Sequence, residues 1–234
     1  MEEHTPTPGV VVEKPTPTPG VVVEKPTPTP EVKLAPAQEV AIIENYAATR
    51  FFPGRIVVLK DVLVRLYLTR LHAEHINKFT IGPIARPFLR STQVILPGEI
   101  GVIEFLPDQV GEFRIANTGH GFQADLVVVE TMEEAKKRIA ETGTQEFALI
   151  HSLDDFRIFP ERLVVQKGIP VKIYNISLIA DDRVSIVPFY VPGDINVRPK
   201  EITTFELTPD RTGEFTIRHE IHGFTGEIIV EDSR

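Results

Sequence analysis

The chain repeats itself, and this internal duplication constrains its fold more than any other feature of the sequence. Residues 52–58, with the sequence FPGRIVV, return 107 positions later as residues 159–165, with the sequence FPERLVV. After one change in length the register becomes 102, and the GEF at residues 111–113 returns at residues 213–215. Because a chance similarity would not keep so regular a spacing, these matches indicate a duplicated domain.

Each copy contains short β-branched and aromatic runs that are separated by Pro, Gly and Asp. Runs of this length, several of them alternating apolar with polar residues, predict β-strands. Regularly spaced short strands over about 90 residues indicate an antiparallel sandwich. The strands predicted in the first copy are Ile56–Val58, Val62–Leu68, Gly101–Phe105, Gly111–Ala116 and Leu126–Val129.

The first residues of the chain differ in composition from the two copies. The sequence TPTPGVVVEKP at residues 5–15 recurs at residues 16–26, and a third copy begins at Thr27. Alternating Pro fixes φ and removes backbone donors, which favours extended chain, and three consecutive Val are too few to build a core. We expect residues 1–37 to form a disordered Pro/Thr-rich stalk of the kind that holds a domain away from a membrane anchor.

One helix is predicted between the two copies. Residues 131–142 begin with a Thr that suits an N-cap, carry acidic residues early and basic residues late, and are followed by Gly143. This helix either connects the two domains or closes the first one. We therefore assign residues 38–143 to the first domain, with the helix included, and residues 144–234 to the second.

Composition excludes several classes of function. The chain has no cysteine, which rules out disulfides, thiolate nucleophiles and thiolate metal ligands. Its formal net charge of −8 argues against a nucleic-acid partner, because such binding depends on Lys and Arg that neutralise phosphates. No apolar run is long enough for a membrane span, and no GxSxG, HExxH, P-loop or GxGxxG pattern is present. We expect no enzymatic activity.

The end of the second copy resembles the last hairpin of a cupredoxin. In that family an aromatic strand ends in a Cys, and a short loop then supplies a His and a Met before the final strand. By this resemblance His219 stands at the His position, whereas Thr216 replaces the Cys and Phe224 replaces the Met. The corresponding residues of the first copy are Arg114, Asn117 and Phe122. The resemblance implies two tandem Greek-key cupredoxin-like β-sandwiches that lack a blue-copper centre.

The remaining cupredoxin ligand is a His that precedes an earlier strand. The residue nearest to this position is Asn77 in the first copy and Arg183 in the second. Imidazoles and carboxylates suit Cu(II) or Zn(II) when no thiolate is available. The candidate metal ligands are His72, Glu74, His75 and His120 in the first domain, and His219 and His222 in the second. The alternative is that these histidines only cap loops or bond to backbone.

Two functions follow from the resemblance and are left open at this point. The first is an extracytoplasmic protein that binds or carries copper through histidines. The second is a metal-free ectodomain that kept the fold and binds a protein partner of the cell envelope. Since Met1-Glu2-Glu3-His4 does not resemble a signal peptide, either the chain is cytosolic or its export segment has been removed. The stalk favours a periplasmic or cell-surface location, with membrane attachment only through a removed anchor.

Overall fold

The computed structural model describes residues 37–71, 79–82, 89–91, 95–188 and 195–233, with side chains for all of these ranges except 89–91. All of these described residues belong to one compact unit. The strands of the first copy are β1 (Gln38–Asn45), β2 (Arg50–Phe52), β3 (Arg55–Leu59), β4 (Val64–Arg70), β5 (Phe79–Gly82), β6 (Leu89–Ser91), β7 (Gly101–Phe105), β8 (Gly111–Asn117) and β9 (Phe122–Val129). Helix α1 (Met132–Ala140) follows. The strands of the second copy are β10 (Gln145–Ser152), β11 (Arg157–Phe159), β12 (Arg162–Gln166), β13 (Val171–Ser177), β14 (Asp182–Val187), β15 (Ile195–Val197), β16 (Thr203–Leu207), β17 (Gly213–His219) and β18 (Thr225–Glu231).

Each copy folds into two sheets with the same strand order. The first copy has sheets β2-β1-β4-β7 and β3-β9-β8-β5-β6. The second copy has sheets β11-β10-β13-β16 and β12-β18-β17-β14-β15, which is the same order with each strand number raised by nine. The predicted all-β fold class is confirmed, and the described residues form two copies of one two-sheet β-sandwich. The likeness of each sandwich to a cupredoxin stays a resemblance. The boundary assigned between residues 143 and 144 stays a prediction.

Each sandwich also contains parallel strand pairs, which the expectation of an antiparallel sandwich did not include. Strands β1 and β4 run parallel, as do β3 and β9, and the second copy repeats both pairings. In each case the chain crosses between the two sheets before it returns beside an earlier strand. The alternation of apolar and polar residues along a strand reports which face is buried and carries no information about the direction of its neighbour.

Each sandwich has its own apolar core, and a third cluster joins the two sandwiches. Residues on the outer faces of β1 and β4 pack against the equivalent residues of β10 and β13. The ring of Phe52 lies 5.0 Å from that of Tyr174, and the ring of Tyr67 lies 4.7 Å from that of Phe159. Phe159 and Tyr174 are the duplicates of Phe52 and Tyr67, so the interface is reciprocal, as in a two-fold symmetric dimer.

The predicted helix is confirmed, and it contacts both sandwiches. The side chain of Thr131 caps it by accepting a 3.2 Å hydrogen bond from the Glu134 backbone N–H. Ala135 packs against apolar residues of β3 and β9. On the other side, Lys136 forms a 3.0 Å ion pair with Glu231, and its carbonyl accepts a 3.0 Å bond from the Gln166 side chain. The helix therefore closes the first sandwich and also links it to the second.

The expected stalk at residues 1–37 falls outside the described residues, apart from Ala37. In the described part of the chain, no helix has the length and apolar character that crossing a bilayer requires.

Candidate metal centre

His219 lies inside the second sandwich because of the alternation along β17. Phe215 and Ile217 are buried in the core, and His219 is the next residue of the same row. Its side chain has no exposed surface, and its ring stacks on that of Phe224 at 3.8 Å with an interplanar angle of 23°. The last residue of an otherwise apolar row is thus an imidazole at the end of the sandwich.

Asp182 faces His219 from the neighbouring strand. It is the first residue of β14, two residues before Val184, which pairs directly with His219. Both Asp182 and Val184 are buried. The Oδ1 atom of Asp182 accepts backbone N–H bonds from Arg183 at 2.5 Å and from Ile221 at 3.4 Å. These bonds fix the carboxylate, so that Oδ2 faces the histidines.

His222 completes the cluster from the loop between β17 and β18. Its Nδ1 atom lies 2.6 Å from Asp182 Oδ2, and the same oxygen contacts Nδ1 of His219. One ligand atom from each of the three residues lies within 4.8 Å of the other two. The His222 side chain is 27% exposed, whereas the other two have no exposed surface. The cluster is therefore buried and has one solvent-facing member.

Burial keeps the central imidazole neutral. It lowers the pKa of His219 to about 4; nearby His151 and His222 act in the same direction, and the Asp182 charge opposes them. A neutral imidazole has a lone pair free for a metal ion, whereas a protonated one does not. At neutral pH the cluster therefore offers one carboxylate oxygen and at least one unprotonated ring nitrogen.

A further histidine lies behind the cluster, on the opposite sheet. His151 is fully buried near the end of β10, and its ring lies 5.1 Å from that of His219. Its Nε2 atom lies 3.1 Å from the Asn175 side-chain oxygen. Burial lowers the pKa of His151 to about 4, against the smaller opposing effects of Asn175 and Asp182. The second sandwich thus contains three histidines and one carboxylate at one end.

Strand β17 extends three residues beyond Thr216 and ends at His219, and His222 lies in the loop that follows. Asp182 is the first residue of β14, and Arg183 is the second. The positions assigned by the cupredoxin resemblance stay predictions.

The sequence prediction named two of the four residues. It placed His219 and His222 together, and the structure brings them together with ring centroids 5.4 Å apart. It missed Asp182 and His151. The period-two burial along β14 would have pointed to Asp182, since Val184 and Ile186 face the core from the same row. No sequence motif marks His151, which the fold brings in from another strand.

The equivalent end of the first sandwich has different chemistry. Asn117, the duplicate of His219, donates a 2.7 Å hydrogen bond to Glu44, the duplicate of His151. The other Glu44 oxygen lies 3.3 Å from Nε of Arg70, and both charged side chains are only 1% exposed. A buried guanidinium therefore occupies the part of the first sandwich where the second has Ser177, which pairs with His151 between β10 and β13.

The ligands predicted in the first domain are only partly described. His72, Glu74 and His75 lie outside the described residues, so their assignment as metal ligands stays a prediction. His120 is described, and its ring lies 5.1 Å from that of Tyr46 and 5.7 Å from that of Phe122. Among the described residues, the group that could hold a metal is Asp182, His219 and His222.

Comparisons with known proteins returned similar solved structures only. No family model matches the chain, and no curated protein matches its sequence. A Cu-containing nitrite reductase from Thermus scotoductus SA-01 is 13% identical, with a TM-score of 0.31, and the match covers 85% of this chain and 69% of that one. A blue copper oxidase from Nitrosomonas europaea is 13% identical, with a TM-score of 0.30, over 83% of this chain and 86% of that one. A purple cupredoxin from Nitrosopumilus maritimus is 12% identical, with a TM-score of 0.30, over 36% of this chain and 98% of that one.

Proposed function

We propose that this chain is a copper-binding protein that holds Cu(II) at Asp182, His219 and His222 of its second sandwich. The observation that carries the proposal is the geometry of Asp182. Backbone N–H groups hold one of its oxygens, while the other contacts the Nδ1 atoms of both histidines. Such fixing of a ligand by its own hydrogen-bond partners is typical of protein metal sites.

The donor set suits copper or zinc better than a hard cation. Two imidazoles with one carboxylate are typical ligands for Cu(II) and Zn(II), whereas Ca²⁺ and Mg²⁺ prefer sites built from oxygen atoms. Metal–ligand bonds of about 2.0–2.2 Å place two ligands of one ion roughly 3–4 Å apart, which small movements of these side chains would reach. Among divalent first-row metals Cu(II) binds such sites most tightly.

This site would differ from a blue-copper centre because the chain has no cysteine. A blue-copper centre depends on a covalent Cu–thiolate bond. The proposed role is therefore binding or carrying of copper, and we propose no catalytic reaction. The partly exposed His222 gives the ion a contact with solvent, through which it could be taken up and released.

The first sandwich supports a structural role within the same protein. Its buried Arg70 carries a fixed positive charge beside Glu44, at the end that is equivalent to the metal centre. A cation at that end would be repelled by the guanidinium. This observation favours, for the first sandwich, the second candidate function: a domain that kept the fold without the metal and contributes an interaction surface.

The proposed location is outside the cytoplasm, in the periplasm or on the cell surface. The support is the Pro/Thr-rich repeat at residues 5–30, whose composition is typical of the stalks of exported proteins. A protein of the envelope is the proposed partner. Fractionation of native cells with an antibody to the chain tests this location.

Calorimetric titration of the full chain with Cu(II) and with Zn(II) tests the metal proposal. We expect one Cu(II) ion per chain, and affinity that falls by at least about tenfold in Asp182→Asn and in His222→Ala. The matched control is His120→Ala, which removes the duplicate of His222 from the first sandwich. It should leave the affinity within about threefold. No heat of binding in the wild type, or equal losses in the control, would overturn the proposal.

A further inference from the structure

His151 and His219 are two buried imidazoles from opposite sheets of the second sandwich. His151 belongs to β10 and His219 to β17, and neither side chain is exposed. Within the described residues, Nδ1 of His151 and Nε2 of His219 have no hydrogen-bond partner. Buried polar atoms without a partner are rare in native proteins, and they often mark the place where an ion or a water molecule binds.

The spacing of the two rings fits a shared ion. Their centroids lie 5.1 Å apart, close to the 5.4 Å between His219 and His222. Two imidazoles that bind one ion through bonds of about 2.0 Å have centroids roughly 5–6 Å apart. The side-chain oxygen of Asn175 contacts Nε2 of His151. The other ring nitrogen, Nδ1, therefore remains available to bind an ion.

The chemistry of this pair differs from that of the outer cluster. The outer cluster includes a carboxylate, which favours the more highly charged Cu(II) ion. The inner pair has only nitrogen donors, because it consists of two fully buried imidazoles. The cost of burying an ion rises steeply with its charge, so a fully buried, oxygen-free pair of imidazoles favours a monovalent ion over a divalent one.

We infer that His151 and His219 form a second ligand pair in the second sandwich, which holds Cu(I). This inference rests on the proposed function, because the inner pair shares His219 with the Cu(II) site. The two positions therefore take one ion at a time. The oxidation state of the copper decides whether Asp182 and His222 or His151 complete the coordination.

The test is a competition between the full chain and the chromophoric Cu(I) chelator bicinchoninate, without oxygen and with ascorbate present. We expect Cu(I) affinity to fall by at least about tenfold in His151→Phe, which keeps a ring of similar volume, while Cu(II) affinity stays within about threefold. Asp182→Asn should do the opposite. Equal losses of Cu(I) and Cu(II) affinity in His151→Phe, or unchanged Cu(I) affinity, would overturn the inference.

A measurement on the wild-type protein tests the inference even if a variant does not fold. X-ray absorption of the Cu(I) complex should show a shell of two imidazole nitrogens without a carboxylate oxygen. A carboxylate in that shell would overturn the inference. Absence of Cu(II) binding in the calorimetric titration overturns the proposed function, whereas retained Cu(II) binding with no Cu(I) binding overturns only the inner pair.

Discussion

His219 and Asn117 occupy the same position in the two copies, yet their side chains contact different groups. Both are fully buried residues at the end of equivalent strands, β17 and β8. His219 contacts the carboxylate of Asp182, whereas Asn117 donates to Glu44, which is itself paired with Arg70. The same duplicated fold therefore has a candidate metal centre in the second sandwich and a buried ion-pair network in the first.

Removing one partner of the buried ion pair should destabilise the first sandwich. Arg70→Met leaves the Glu44 charge buried without its guanidinium, which costs about 3–5 kcal/mol of unfolding free energy. The double variant Glu44→Gln with Arg70→Met should recover at least half of this loss, because no charge is then buried. Urea unfolding measures both. A single variant as stable as the wild type would contradict the role assigned to the pair.

The reciprocal aromatic contacts should contribute equally to the packing of the two sandwiches. A double-mutant cycle on Phe52 and Tyr174 should give a coupling of about 0.5–1.5 kcal/mol, as is usual for aromatic pairs. The cycle on Tyr67 and Phe159 should give a similar value, since the two pairs are related by the duplication. Unfolding of Leu variants measures both couplings. A coupling confined to one pair would argue against a symmetric interface.

The stability of the metal-free protein should depend on pH through His151. Its pKa is 6.5 when unfolded and about 4 when folded, so between these values the unfolded chain binds a proton that the folded chain does not. Lowering the pH through this window therefore favours unfolding. The His151 contribution is fully present above pH 6.5, and roughly 2 kcal/mol of it is lost at pH 5.0.

Urea unfolding at pH 7.5 and pH 5.0 checks this prediction. The variant His151→Asn should lose a smaller share of its stability over the same interval, because one titrating group has been removed. The remaining dependence includes that of His219, whose pKa burial also lowers. The same dependence in His151→Asn as in the wild type would contradict the assignment to this residue.

Capping of α1, the single helix among the described residues, should contribute modestly to the free energy of unfolding. Thr131→Ala removes the acceptor for the Glu134 N–H and should cost about 1 kcal/mol. Thr131→Ser, which keeps the hydroxyl, serves as the control and should cost less. Thermal unfolding compares the two. Equal losses would mean that the Thr131 methyl group, not its hydroxyl, stabilises the helix.

The sequence predicted the fold better than the site. The duplication fixed the number of sandwiches, because two copies of one strand pattern must fold alike. The helix at residues 131–142 was readable from its Thr131 cap and its charges, which act locally. The parallel pairing of β1 with β4 was not readable, because it depends on a chain crossing between sheets.

The site was only half predicted, for physical reasons. His219 and His222 are close in sequence, so their proximity follows from one short loop. Asp182 reaches them through the β14–β17 register, and His151 reaches them across the sandwich. Contacts of this kind arise from tertiary packing. They cannot be predicted from a single sequence that contains no motif for them.

A crystal structure of the copper-loaded full chain, with anomalous data collected at the copper edge, would locate the bound ion. We expect one strong peak in the second sandwich, bonded at about 2.0–2.2 Å to Asp182 and to the imidazoles of His219 and His222. A peak bound elsewhere, or no peak in crystals grown from protein saturated with Cu(II), would contradict this expectation.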